Sequence, residues 1–133
     1  MLATAIDSLR LFLHILAATV WVGGQLTLAA LVPVLRARDP ELPKLAARAF
    51  DRIAWPAYGV LLVTGMWNVA AVSGDAQGNY NAVLMLKVLV VAASGITAYL
   101  HTRAKTTTGL AVWGALTGLT ALSSLYLGVL LAG

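Results

Sequence analysis

The sequence predicts an all-α integral membrane protein, a bundle of four transmembrane helices with both termini on the periplasmic or extracellular side. Three observations predict it. Of the 133 residues, 60% are hydrophobic and only 11% charged, against about 45–50% apolar and about 25% charged in a soluble domain. The charges are clustered, which leaves four long stretches nearly free of them, each about the ~20 residues needed to cross the hydrocarbon core. Finally, lysine and arginine concentrate in the first and third connections, and the positive-inside rule places those in the cytoplasm.

Taken in order, the first span is predicted over Leu9–Leu35. It lacks a basic leader and its apolar run is too long for a cleavable signal, so it reads as a retained helix. The connection that follows carries Arg36, Arg38, Lys44, Arg48 and Arg52. Its Pro40 and Pro43 mark a polar turn, and Leu45–Ile53 is expected to form a short amphipathic helix at the interface. The second span is predicted over Ala54–Val72. The next connection, Ser73 to Asn81, is turn-forming, has no basic residue and belongs outside. The third span covers Val83–Leu100, a second basic connection carries Arg103 and Lys105, and the fourth covers Leu110–Leu131. Residues 1–133 thus form a single four-helix domain. Without cysteine there is no disulfide or thiolate metal site. The sequence pI near 9.9 is explained by the cytoplasmic loop charges and requires no nucleic-acid partner.

Ionisable residues at bilayer depth are costly and mark functional sites. His14 lies in Leu11-Phe12-Leu13-His14-Ile15-Leu16, and Lys87 in Met85-Leu86-Lys87-Val88-Leu89. Both helices enter from outside, and both residues fall about five positions in, or ~7 Å at 1.5 Å per residue. His14 and Lys87 are therefore expected in one outer-leaflet layer with Thr64, Met66, Asn68, Met85, Ser123 and Tyr126. His101 lies ~21 Å below Lys87 and reads as an interfacial histidine. His14, Ala18, Trp21 and Gln25 share one helix face, while Thr19, Gly23 and Thr27 form a small-residue ridge suited to close packing. Gly114 and Gly118 form a second small-residue pair, for an intramolecular contact or a dimer. Each residue also has a plainer reading: Lys87 can snorkel to the headgroups, His14 can bond a neighbouring helix, and Met66 and Met85 can simply pack.

The stretch from Leu11 to Gly24, with its Leu13-His14-Ile15 and Trp21-Val22-Gly23-Gly24, resembles the first helix of the copper-resistance protein D (CopD) family. Phe50-Asp51-Arg52-Ile53-Ala54 leading to Leu62-Val63-Thr64-Gly65-Met66-Trp67-Asn68 resembles the threonine-glycine-asparagine segment of that family, and Tyr80 with Leu84-Met85-Leu86-Lys87-Val88-Leu89 its tyrosine-to-lysine segment. The resemblance covers roughly residues 9 to 100, the core domain of those longer proteins. It implies a bacterial inner-membrane protein associated with copper handling. A more distant resemblance is to the HemJ-type protoporphyrinogen oxidases, four-helix haem b proteins that pair a first-helix histidine, matched by His14, with a lysine, matched by Lys87. Their tyrosine-leucine-proline-arginine block is replaced here by Gln25-Leu26-Thr27-Leu28, so the oxidase activity is not carried over.

Two cofactor readings follow. Copper(I) would take His14 with the thioether of Met66 or Met85. Haem b would take His14 as an axial ligand, with Lys87, Met66 or Met85 opposite or Lys87 on a propionate, and Trp21, Thr64 and Asn68 around it. A lysine beside copper is unfavourable and suits a carboxylate better. A third reading is a non-catalytic helper subunit that packs as a homodimer, or in a larger membrane complex, through Gly23 and Gly114/Gly118.

Overall fold

The computed structural model describes residues 4–72 and 79–132. Among these residues the chain is helical, with no strand, and four helices are long and apolar enough to cross a membrane. The first span comprises α1 (Ala5–Ala18), a π turn (Thr19–Gly23) and α2 (Gly24–Arg38). The others are α3 (Leu42–Val72), α4 (Asn79–Arg103) and α5 (Thr107–Ala132). They form two compact units, residues 1–74 and 75–133.

The N-terminal unit pairs the first span with α3. Thr4 starts α1, its hydroxyl accepting from the Asp7 N–H at 3.1 Å, which satisfies one of the exposed donors at a helix start. The helix thus begins four residues before the predicted Leu9 and carries Asp7 into the span, one turn from Arg10. The connection to α3 is only Asp39–Glu41. Asp39 leaves α2 in an extended conformation and accepts from the Glu41 N–H at 2.9 Å, and so short a turn makes α2 and α3 antiparallel neighbours.

Two expectations about this unit are corrected. The amphipathic stretch Leu45–Ile53 is not a separate helix. It continues into the second span as one helix of 31 residues, because Leu, Ala and Arg favour helix and nothing between Ile53 and Ala54 breaks it. At 1.5 Å per residue α3 is ~46 Å long, beyond the ~30 Å of a hydrocarbon core. The packing glycine is Gly24, not Gly23. A Cβ at Gly23 meets no described atom within 4 Å, whereas the Phe50 ring of α3 occupies the place a Cβ of Gly24 would take. Thr19 and Thr27 are exposed and turn their hydroxyls onto the Ile15 and Gly23 carbonyls of their own helix, each at 2.8 Å.

The C-terminal unit pairs α4 with α5. Thr106 caps α5, accepting from the Gly109 N–H at 2.9 Å. Midway along, Thr117 donates to the Ser94 carbonyl at 2.9 Å and Ser94 to the Thr117 carbonyl at 3.3 Å. Both residues are buried, as is Ala121 one turn further along α5. Small hydroxyl residues let the backbones approach and add reciprocal bonds where no water competes. Nearer the connection, His101 Nδ1–H donates to the Leu110 carbonyl at 2.9 Å, and its ring lies against Gly114. The first glycine of the Gly114/Gly118 pair therefore serves an intramolecular contact. A Cβ at Gly118 meets no described atom within 4 Å.

Candidate functional site

His14 projects from α1 onto α3, where its Nδ1 lies 2.7 Å from Thr64 Oγ1. Thr64 is 2% exposed, and its hydroxyl is also 2.7 Å from the Val60 carbonyl one turn back. The hydroxyl has one proton, and a carbonyl can only accept. Both contacts are satisfied in one arrangement: Thr64 donates to Val60, and His14 Nδ1–H donates to Thr64. Nε2 is then the ring nitrogen that bears the lone pair. Gly65 lies beside the ring: a Cβ there would stand 3.9 Å from His14 Cε1, in ordinary van der Waals contact, so the approach does not depend on a glycine at this position.

The antiparallel register extends this contact in both directions. Toward the start of α1, Arg10 is one turn before His14 and Asn68 one turn after Thr64. Arg10 Nη2 pairs with Asp7 Oδ1 at 3.2 Å. Its Nε and the Asn68 Oδ1 are buried without a hydrogen-bond partner. Toward α2, the π turn brings Trp21 and Val22 together into the interior, at 4% and 6% exposed. The Trp21 ring lies 4.6 Å from Tyr58 and 5.4 Å, edge-on, from Trp55, separations at which aromatic pairs add to simple burial. One turn on, both amide atoms of Gln25 are buried without a hydrogen-bond partner. A polar group of Arg10, His14, Thr64 and Asn68 is thus followed, about two turns further along the first span, by an aromatic cluster of Trp21, Trp55 and Tyr58.

Of the site residues expected from sequence, His14, Trp21, Thr64 and Asn68 belong to this interface. Met66 does not. It is two residues from Thr64, some 200° around α3, and is 73% exposed, so it cannot join His14 on one ion. Met85 and Lys87 belong to the C-terminal unit. Met85 is 61% exposed and stands two residues from Lys87, on the other side of α4. The Lys87 side chain lies along α5 instead, with Nζ 3.0 Å from where a Cβ of Gly128 would be. Gly128 is near the C-terminal end of α5, where a helix dipole favours a cation. Among the expected polar layer, Ser123 and Tyr126 are exposed on α5. No group of three or more His, Cys, Asp or Glu side chains that could hold a metal ion occurs among the described residues.

No protein-family model matches the chain, and neither a curated protein nor a solved structure matches it.

Arg10 was missed from sequence because it falls at the edge of the predicted span, where an arginine reads as an interfacial anchor. Its spacing of four from His14 was the available signal. Trp55 and Tyr58 were missed for a different reason: their role depends on which face of α3 meets Trp21.

Proposed function

We propose that this chain is a multi-pass protein of the bacterial inner membrane, CopD-like in type, whose N-terminal helix pair binds haem b through His14. The hydrogen bond from His14 Nδ1–H to Thr64 carries this reading, because metal-ligating histidines are oriented by such a bond on the other ring nitrogen. The donor set favours haem over a bare copper ion. A porphyrin brings four nitrogens of its own, so one imidazole suffices, whereas copper needs several protein donors and Met66 lies on the wrong face to be one. Arg10 would hold a carboxylate group of the cofactor, and Trp21 with Tyr58 would exclude water beside it. Haem b supplies one-electron redox chemistry when bound.

The test is the absorption spectrum of gently purified protein, with metal content measured on the same sample. A Soret band is expected in the wild type, lost in a folded His14→Ala variant and kept in His101→Ala, whose imidazole already serves the Leu110 carbonyl. Stoichiometric copper without a Soret band would overturn the reading in favour of copper handling. Neither ligand in the wild type would overturn it in favour of a helper subunit.

The orientation belongs to the same proposal. With Arg36, Arg38, Lys44, Arg48 and Arg52 on the first connection and Arg103 and Lys105 on the third, both termini lie on the periplasmic side. Reporter fusions at Gly133 and within residues 39–44 are expected to report opposite sides. A cytoplasmic Gly133 would refute this.

A further inference from the structure

The first turns of α3 carry two exposed rows of side chains that the packing of the helix pair does not use. Phe50 reaches the Gly24 position of α2, and Ala54 is 2% exposed, so these two mark the inward face of this part of α3. At 100° per residue the outward face carries Lys44, Arg48 and Arg52, each one turn from the next, and beside them Leu45, Ala49 and Ile53 at the same spacing. All six are exposed, Leu45 and Ile53 by 57% and 58%. Arg36 and Arg38, also exposed, stand at the end of α2 across the short turn. The carboxylates of this region are Asp39 and Glu41 in the turn and Asp51, half-buried next to the basic row. The arginines and lysine outnumber them.

Depth places the rows at a lipid surface. The ~20 residues that cross a hydrocarbon core, counted back from Val72, end at Ile53. Arg52 and Arg48 then stand ~2 Å and ~8 Å beyond the core, within the headgroup layer, and Lys44 lies at its outer margin. We propose that this outward face of α3 binds an anionic phospholipid, with Arg48, Arg52 and Lys44 on the phosphodiester and Ala49 and Ile53 against the start of the acyl chains. A guanidinium takes two phosphate oxygens at once, and basic clusters next to a span attract anionic headgroups. A row of charges alone would suit free phosphate or an acidic protein equally well. An apolar row along its whole length suits a molecule that carries phosphate next to hydrocarbon. The face needs no cofactor, so it stands or falls apart from the haem reading, and its chemistry is the same in either leaflet.

The experiment is native mass spectrometry of the full chain in a mild neutral detergent, titrated with phosphatidylglycerol or with phosphatidylcholine of the same acyl chains. The wild type is expected to bind phosphatidylglycerol more tightly. Each basic residue near an anionic headgroup is worth about fivefold in affinity. Arg48→Gln combined with Arg52→Gln is therefore expected to weaken phosphatidylglycerol binding by about that factor for each charge removed, and to leave phosphatidylcholine binding unchanged. Both side chains are exposed, so the Tm of this variant is expected to match the wild type. Arg103→Gln combined with Lys105→Gln removes the same charge from the α4–α5 connection and is expected to keep the preference. Equal affinity of the wild type for the two lipids would overturn the proposal, as expected for a face that meets an acidic protein instead. Equal losses in the two double variants would overturn it by reducing the preference to net charge. So would displacement of phosphatidylglycerol by inorganic phosphate at the lipid's own concentration, the sign of a free-anion site.

Discussion

Gly24→Leu is expected to disrupt the N-terminal helix pair, while Gly23→Leu leaves it nearly intact. Phe50 of α3 occupies the space a Cβ at Gly24 would need, and Gly23 faces open space. Phe50 is half-buried, so its ring can swing aside only by giving up its contact with α2 and separating the helices around it. Overpacking of this kind costs about 1–3 kcal/mol, a large part of the stability of a small fold. The comparison is made by thermal unfolding in mild detergent. A Phe50→Ala change in the same chain vacates the ring's place and is expected to restore much of the loss. Such rescue separates a specific clash from a general intolerance of leucine. Equal melting of the Gly23 and Gly24 variants would remove the close approach of α2 to α3 at this point.

Thr64→Val is expected to act on His14 through its tautomer. Valine keeps the shape but removes the oxygen that accepts from Nδ1–H at 2.7 Å. Interhelical hydrogen bonds in lipid are worth only about 0.6 kcal/mol on average, but a buried donor left without its acceptor costs about 1–3 kcal/mol. The larger figure governs here because Thr64 is 2% exposed and no water replaces it cheaply. The measurement is the pair of ring ¹⁵N shifts of His14 in the neutral form. The wild type is expected to show Nδ1 protonated and Nε2 carrying the lone pair. The Val variant is expected to show a mixture, with weaker retention of any ligand on Nε2. Thr64→Ser keeps the hydroxyl and is expected to behave as wild type. An unchanged tautomer in the Val variant would mean that Thr64 does not orient the ring.

These expectations differ in how far they were legible beforehand. His14 and Thr64 stand out in sequence as polar residues in apolar runs, and their meeting is the kind of contact such residues make between helices in lipid. Gly24 did not stand out. It is one position from Gly23, which fits a small-residue ridge equally well, and a run of two glycines does not say which one faces Phe50. Arg10 was hidden in a similar way: it stands second in the predicted span, one turn from His14, where an arginine reads as an anchor at the helix end. The helix instead starts at Ala5 through the Thr4 cap, which puts Arg10 in its second turn and brings Asp7 to it. Ser94 and Thr117 are single hydroxyl residues in separate spans, and their reciprocal bonds exist only because α4 and α5 pack face to face at that level.

The sequence by itself determined that this chain is helical and built of four segments able to span a membrane. Apolar content, segment length and charge placement are sums over many residues, and no single misplacement upsets them. Only the tertiary structure decided that the amphipathic stretch is part of α3, that Gly24 rather than Gly23 receives Phe50, and that Met66 turns away from His14 while Arg10 and Asn68 flank it. Those outcomes depend on the start of one helix, the register between two, and rotations of 100° per residue. A pattern read along one chain leaves these open until the neighbouring helix is in place.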